Sequence, residues 1–252
     1  MRLSVYCVAI PPRLPHARRF LAAMGMEGAT ILPPVLRDTL SHADLVRRNI
    51  VSPTYPSSRD FMGKIACSLS HAQTLRHFLE SDAEVALVFE DDNQIPSPAA
   101  AAEARTTISK LLALREWQFL NLVPCDANCS MWRSTLARVG PHRVYRASGV
   151  GTPAYLVRRA GAKAFLRRML PISTPLDMHI PHLTDAYEVH PRLFEPGDAA
   201  KSTNGNYDAV PECRHAFDVR NLGTYGLIGV AVLVGGIVFA MRVRRRSERA
   251  AT

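Results

Sequence analysis

Residues 84–92 read EVALVFEDD. After Glu84 the run is apolar through Phe89, as in a strand covered on both faces, and three carboxylates close it. A strand buried on both faces needs helices above and below, so this stretch reads as the interior of a helix-flanked sheet. The neighbouring segments agree. On one side, residues 62–80 carry Ile65, Leu69, Ala72, Leu75 and Leu79 at helical spacing, and Ser81-Asp82 end the pattern. On the other, residues 96–115 are alanine-rich and helical, and 117–123 (WQFLNLV) read as a strand.

Further out the alternation continues. Residues 3–10 (LSVYCVAI) form a strand closed by Pro11-Pro12, 16–24 a helix, and 29–36 a short strand weakened by Pro33-Pro34. Residues 144–147, 154–157 and 186–190 read as strands, and 159–169 as an amphipathic helix. Residues 51–60 and 124–142 read as irregular, and after Glu195 the chain is turn-rich, with Asn204-Gly205 the strongest turn signal. Strands alternating with helices predict an α/β sandwich with a mostly parallel sheet. Ligands in such folds bind beyond the carboxyl ends of the strands, which is where Glu90-Asp91-Asp92 would lie.

Three adjacent acids repel one another and need full solvation or a cation. Hard divalent ions such as Mg2+ and Mn2+ take oxygen ligands, commonly one or two carboxylates plus substrate phosphates. Glu90 and Asp92, first and third of the triplet, can point the same way and share one ion. Asp91 would point opposite, toward a ribose hydroxyl or a structural partner. The plain alternative is a solvated turn after a strand.

Composition sets the class. The chain has 252 residues, 47% of them hydrophobic, which suits a sizeable globular core. The net charge is +9, of which residues 242–252 supply five arginines against one acid, 5 − 1 = +4, leaving +5 elsewhere. No basic stripe interleaved with aromatics is present, so nucleic acid is not an expected partner. Five cysteines without regular spacing argue against a disulfide framework and for a reducing compartment. Cys125 and Cys129 could pair or share a metal, but no second Cys/His pair at zinc spacing accompanies them, and they read as ordinary loop thiols.

Residues 222–241 (LGTYGLIGVAVLVGGIVFAM) are uncharged over twenty positions, about 30 Å of helix, and predict a transmembrane span. Ala231 and Gly235 form a small-xxx-small pair that would support a homodimer. The expected organisation is a globular domain over 1–205, a linker over 206–221, the span, and a basic tail over 242–252. The N-terminus lacks a signal-peptide pattern, which favours a single-pass C-terminal anchor with a cytosol-facing domain, although the arginine tail pulls the other way.

Gly63, Cys67, Ser70 and His71, then an apolar strand ending in Glu90-Asp91-Asp92, resemble glycosyltransferase family 25, the lipooligosaccharide and procollagen galactosyltransferases. Ala66 stands where that pattern has glycine. Residues 117–122 resemble its W-D-x-x-x-L segment, with Gln118 for Asp. Residues 151–166 (GTPAYLVRRAGAKAFL), Pro175-Leu176-Asp177, Val189-His190-Pro191 and Ser202 are similar to later pieces, in order, so the resemblance spans about 3–205.

The resemblance implies a GT-A-type nucleotide-sugar-binding domain and a UDP-sugar donor, often UDP-galactose. It also implies Mn2+ or Mg2+ and transfer with inversion to a glycan, glycolipid or protein acceptor such as hydroxylysine. Glu90 and Asp92 are then the metal ligands. Asp91, Ser70, His71 and Arg13 are the donor-binding candidates, with Arg18, Arg19 and Lys201 as further cations for the diphosphate. Asp177 is the candidate general base or acceptor contact, against a turn or helix-cap aspartate. His179 is a second metal-ligand candidate, and Cys67 reads as packing. The chain departs from the family where His179, Pro181 and His182 replace a further acid, and it lacks the asparagine-leucine after the first strand. A catalytically inactive, membrane-anchored scaffold is the alternative.

Overall fold

The computed structural model describes residues 1–125 and 135–196. Cys129, Lys201, Ser202, Asn204-Gly205, Cys213, the linker, the span 222–241 and the basic tail lie outside the described residues. Among the described residues no helix is long and apolar enough to cross a membrane.

Strand β1 (Leu3–Val8) leads through a proline-rich turn into α1 (Leu14–Ala23). Then come β2 (Thr30–Leu32), α2 (His42–Arg47), the long α3 (Arg59–Glu80) and β3 (Val85–Glu90). The two-residue β4 (Asn93–Gln94), α4 (Pro98–Ala113), β5 (Phe119–Asn121) and the hairpin β6 (Thr135–Val139) and β7 (His142–Arg146) follow. Last are β8 (Ala154–Arg158), α5 (Arg159–Met169), a 3-10 turn over Leu176–His182, β9 (Ala186–His190) and β10 (Glu195–Pro196), which pairs with β4.

The main sheet has the order β2-β1-β3-β8-β5-β9-β7-β6. Parallel pairs are β1–β2, β1–β3 and β5–β9. The other four pairs are antiparallel. Six of the eight strands still run one way, with β8 and β7 reversed, so the expected mostly parallel sheet is in fact mixed. An apolar run such as AYLV reports burial on both faces and carries no information on strand direction, which is why the sequence did not distinguish the two. β6 falls inside a stretch read as irregular; it is an edge strand with little burial and gives no periodic signal.

Two cores flank the sheet. On one face Phe20, Phe89 and Phe194 meet edge-on, with Leu111 and Trp117 beside them. On the other, α3 and α5 lay Leu75, Phe78 and Phe165 over Tyr155 and Phe119. Each such side chain stabilises the fold by about 1.5–3 kcal/mol on burial. Two details fix the second layer. A Cβ on Gly161 would come within 2.2 Å of the Gln118 carbonyl oxygen, so only glycine lets α5 lie this close to the start of β5. The Arg159 guanidinium donates to the carbonyls of Leu79 (2.6 Å), Ser81 (2.8 Å) and Ala83 (3.1 Å), capping the carboxyl end of α3 where those oxygens lack helical partners.

A candidate active site at the end of β3

Parallel β1 and β3 end together, with Val8 beside Glu90. The turn after β1, residues 34–39 after β2, the first half of α3 and Glu90-Asp91-Asp92 enclose a cleft of about 480 Å³. Its lining mixes prolines and aliphatics with carboxylates.

Around the stretch that lines the cleft, α3 carries polar residues that a helix seldom buries. Ser68, Ser70 and Thr74 are buried, and each hydroxyl donates to the carbonyl four residues back, at 2.8, 2.8 and 3.0 Å. Ser70 Oγ also accepts from Val35 N at 2.8 Å, tying the loop after β2 to α3. His71 is buried and reaches Glu90: its Nε2 lies 3.1 Å from Glu90 Oε1, and its Nδ1 lies 3.0 Å from Tyr155 Oη. Thr152 Oγ1 donates to the same Glu90 oxygen at 2.8 Å.

The three acids are treated differently. Burial pushes the Glu90 carboxyl up, but the His71 hydrogen bond and charge, Thr152 and Arg13 outweigh it and hold Glu90 below its ordinary value. Asp91 accepts from Ile10 N at 2.7 Å and from Arg13 Nη1 at 3.0 Å, so both its oxygens brace the turn after β1. Asp92 has a buried Oδ1 with no hydrogen-bond partner. Burial first, then the charges of Glu90 and Asp91, raise it from 3.8 to about 7, against the pull of Arg13. A buried carboxylate oxygen without a donor is costly and rare in native proteins. Beside a second carboxylate it fits a hard divalent cation.

Asp177 lies in the 3-10 turn and accepts from Gly151 N at 3.0 Å. Gly151 has φ +87°, and Asn121 Nδ2 holds its carbonyl at 2.9 Å. One loop therefore touches Asp177 through Gly151 and Glu90 through Thr152. Asp177, Glu90 and Asp92 also share a field: all three add to the burial that raises the Cys67 thiol well above its ordinary range. His179, lowered by burial and by the charges of Arg168 and His182, has a buried Nε2 without a partner. Among the described residues, the set of metal-ligand atoms within 4.8 Å of one another is Cys67, His71 and Glu90, without His179.

Residues 57–180 match the sequence profile of glycosyltransferase family 25 (LPS biosynthesis protein). This segment is a glycosyltransferase family 25 domain. It contains α3, the acidic triplet, Thr152, Tyr155 and Asp177, and the chain is accordingly a transferase. No curated protein matches the sequence. Among solved structures it is similar to a glycosyltransferase involved in the glycosylation of the major capsid of PBCV-1, at 10% identity over 69% of each chain with a TM-score of 0.36. It is also similar to the mannose-1-phosphate geranyltransferase of Thermus thermophilus, at 16% identity over 77% of this chain and 75% of that one, again with a TM-score of 0.36. Likeness at that level carries nothing further for this glycosyltransferase.

Several residues of the site escaped sequence reasoning. Thr152 and Tyr155 sit inside the quoted 151–166 stretch, where a hydroxyl after a turn glycine and a tyrosine in an apolar strand gave no separate signal. Glu188 was legible: an acid within the strand AYEVH is rarely buried unless paired. It is fully buried. It accepts from Ser148 N (2.9 Å) and Gly149 N (2.7 Å), and its Oε1 lies 3.0 Å from His190 Nε2.

Proposed function

We propose that this glycosyltransferase moves a hexose, galactose in the first instance, from a UDP-sugar to a glycan, glycolipid or hydroxylysine acceptor. The transfer is inverting and depends on Mn2+ or Mg2+. The observation that carries the reading is the unpaired, buried Asp92 oxygen beside Glu90 on the floor of a cleft large enough for part of a nucleotide sugar. Glu90 and Asp92 would hold the cation, which supplies neutralisation of the charge that develops on the departing diphosphate.

The chain's own residues do the rest. His71 and Thr152 fix Glu90 by one oxygen, which leaves the other for the cation. Arg13, steadied by Asp91, brings positive charge to the phosphate end of the cleft, and the Ser70-anchored 34–39 loop forms its opposite wall. Asp177, held by Gly151 N through one oxygen, takes the acceptor's hydroxyl proton with the other. The uncharged 222–241 segment anchors the enzyme in a membrane, with the domain facing the cytosol, and its Ala231/Gly235 pair supports a homodimer. An anchor of this kind favours a lipid-linked or surface glycan as acceptor.

The test is donor hydrolysis by the full chain across a panel of UDP-sugars, with and without Mn2+. Metal-dependent release of UDP from one donor is the expected result. Folded protein that turns over no donor under any metal would contradict the proposal.

A further inference from the structure

Cys67 and His71 stand four residues apart on α3, one turn above the other. With Glu90 they bring a sulfur, an imidazole nitrogen and a carboxylate oxygen within 4.8 Å of one another, on the wall and floor of the cleft. Two of the three are already oriented from outside. Tyr155 Oη sits 3.0 Å from the far ring nitrogen of His71, and Thr152 donates to Glu90 at 2.8 Å. Outer partners of this kind accompany nearly all metal-binding histidines. In a tetrahedral site with bonds of about 2.0–2.3 Å, neighbouring ligand atoms lie about 3.3–3.8 Å apart. The His71–Glu90 pair, at 3.1 Å, already stands near that spacing, and the Cys67 sulfur lies within 4.8 Å of both.

We infer that Cys67, His71 and Glu90 form a second, softer cation site that takes Zn2+ and competes with the nucleotide-sugar cation for Glu90. Zinc binding at this site stands on the geometry alone; the competition rests on the role proposed above for Glu90. Thiolate, imidazole and carboxylate together suit zinc, whereas magnesium and manganese favour all-oxygen shells. A free thiol is protonated at neutral pH and is a poor ligand for a hard ion. Zinc displaces that proton: the S–H bond is exchanged for S–Zn, and the proton leaves to solvent. Glu90 can only accept, so Nε2 carries a proton in the metal-free protein. Zinc ligation at Nε2 releases that proton to solvent as well, and the Nδ1 proton of the neutral ring donates to Tyr155 Oη. The fourth position remains for water or a donor phosphate.

The experiment titrates Co2+ into the full chain and follows its absorption, then displaces it with Zn2+. A thiolate-to-cobalt charge-transfer band is expected in the wild type, lost in Cys67→Ser and weakened in His71→Gln. Zn2+ affinity should fall about 100-fold in Cys67→Ser, the upper end of what even outer-shell partners contribute. Melting curves identify any variant that has not folded, in which case Cys67→Ala replaces it. In the second arm, Zn2+ is added to Mn2+-supported donor hydrolysis and scored against each variant's own rate. Cys67→Ser should need about 100-fold more Zn2+ for the same inhibition. A missing band overturns the proposal. So does a band that persists in Cys67→Ser and disappears only when Cys125 and Cys129 are replaced. If no metal supports turnover, the function proposal fails while the cobalt arm still decides the zinc site.

Discussion

Two acidic centres on the same sheet are treated in opposite ways. Glu188, in the interior strand β9, is fully buried and saturated by two backbone N–H groups and His190. Asp92, just past the end of β3, keeps a buried oxygen with no donor at all. The first carboxylate spends its charge on the protein, holding the 148–149 backbone in place. The second is, on the reading proposed above, left for a cation. That difference separates a structural acid from a candidate ligand more sharply than residue type or burial does. The two centres are linked, because the loop clamped by Glu188 continues to Gly151 and Thr152, which hold Asp177 and Glu90.

The comparison can be broken most forcefully at Glu188. Glu188→Ala strands several buried donors and should cost about 3–5 kcal/mol in urea unfolding, as when one partner of a buried ion pair is removed. A cost near zero would mean that Glu188 is no clamp. A smaller effect is expected where the loop meets the cleft. Thr152→Val keeps the shape but removes the hydroxyl from Glu90. It should raise the Mn2+ concentration for half-maximal donor hydrolysis about 10-fold, with little change in kcat at saturating metal, and Thr152→Ser should restore it. A fall in kcat with unchanged metal dependence would place Thr152 elsewhere in the mechanism.

The smallest effect is in pH. The carboxyl of Asp92 is raised from 3.8 to about 7 in the fold, so the folded state holds that proton more tightly than the unfolded one. Its contribution to stability is therefore greatest below pH 3.8, is lost as pH rises toward about 7, and is flat beyond. Without metal, Asp92→Asn should match the wild type at low pH and melt above it at pH values beyond about 7. Divalent cation should close that gap by stabilising only the wild type. A gap that does not depend on pH would show that Asp92 is not strained in the metal-free fold.

Most of the fold was legible because buried strands and amphipathic helices leave periodic traces. β9 and α5 lie on the residues expected, and β3 closes on Glu90 as its apolar run indicated. Strand direction was not legible in β7 and β8, whose apolar content is independent of direction. In the site, the acidic triplet was visible as charge out of place after a buried strand. What could not be read was the division among its members. It depends on Ile10 N, Arg13, His71 and Thr152, residues that lie far from the triplet in sequence and reach it only once the sheet and α3 have formed.

The most direct test of the account is Mn2+-dependent UDP release by Asp92→Asn beside the wild type, with Mn2+ binding measured on both by calorimetry. The account predicts that the variant folds, binds Mn2+ at least about 100-fold more weakly and loses metal-dependent turnover, since it removes a ligand itself and not merely an outer partner. A variant with wild-type metal affinity and rate would contradict it.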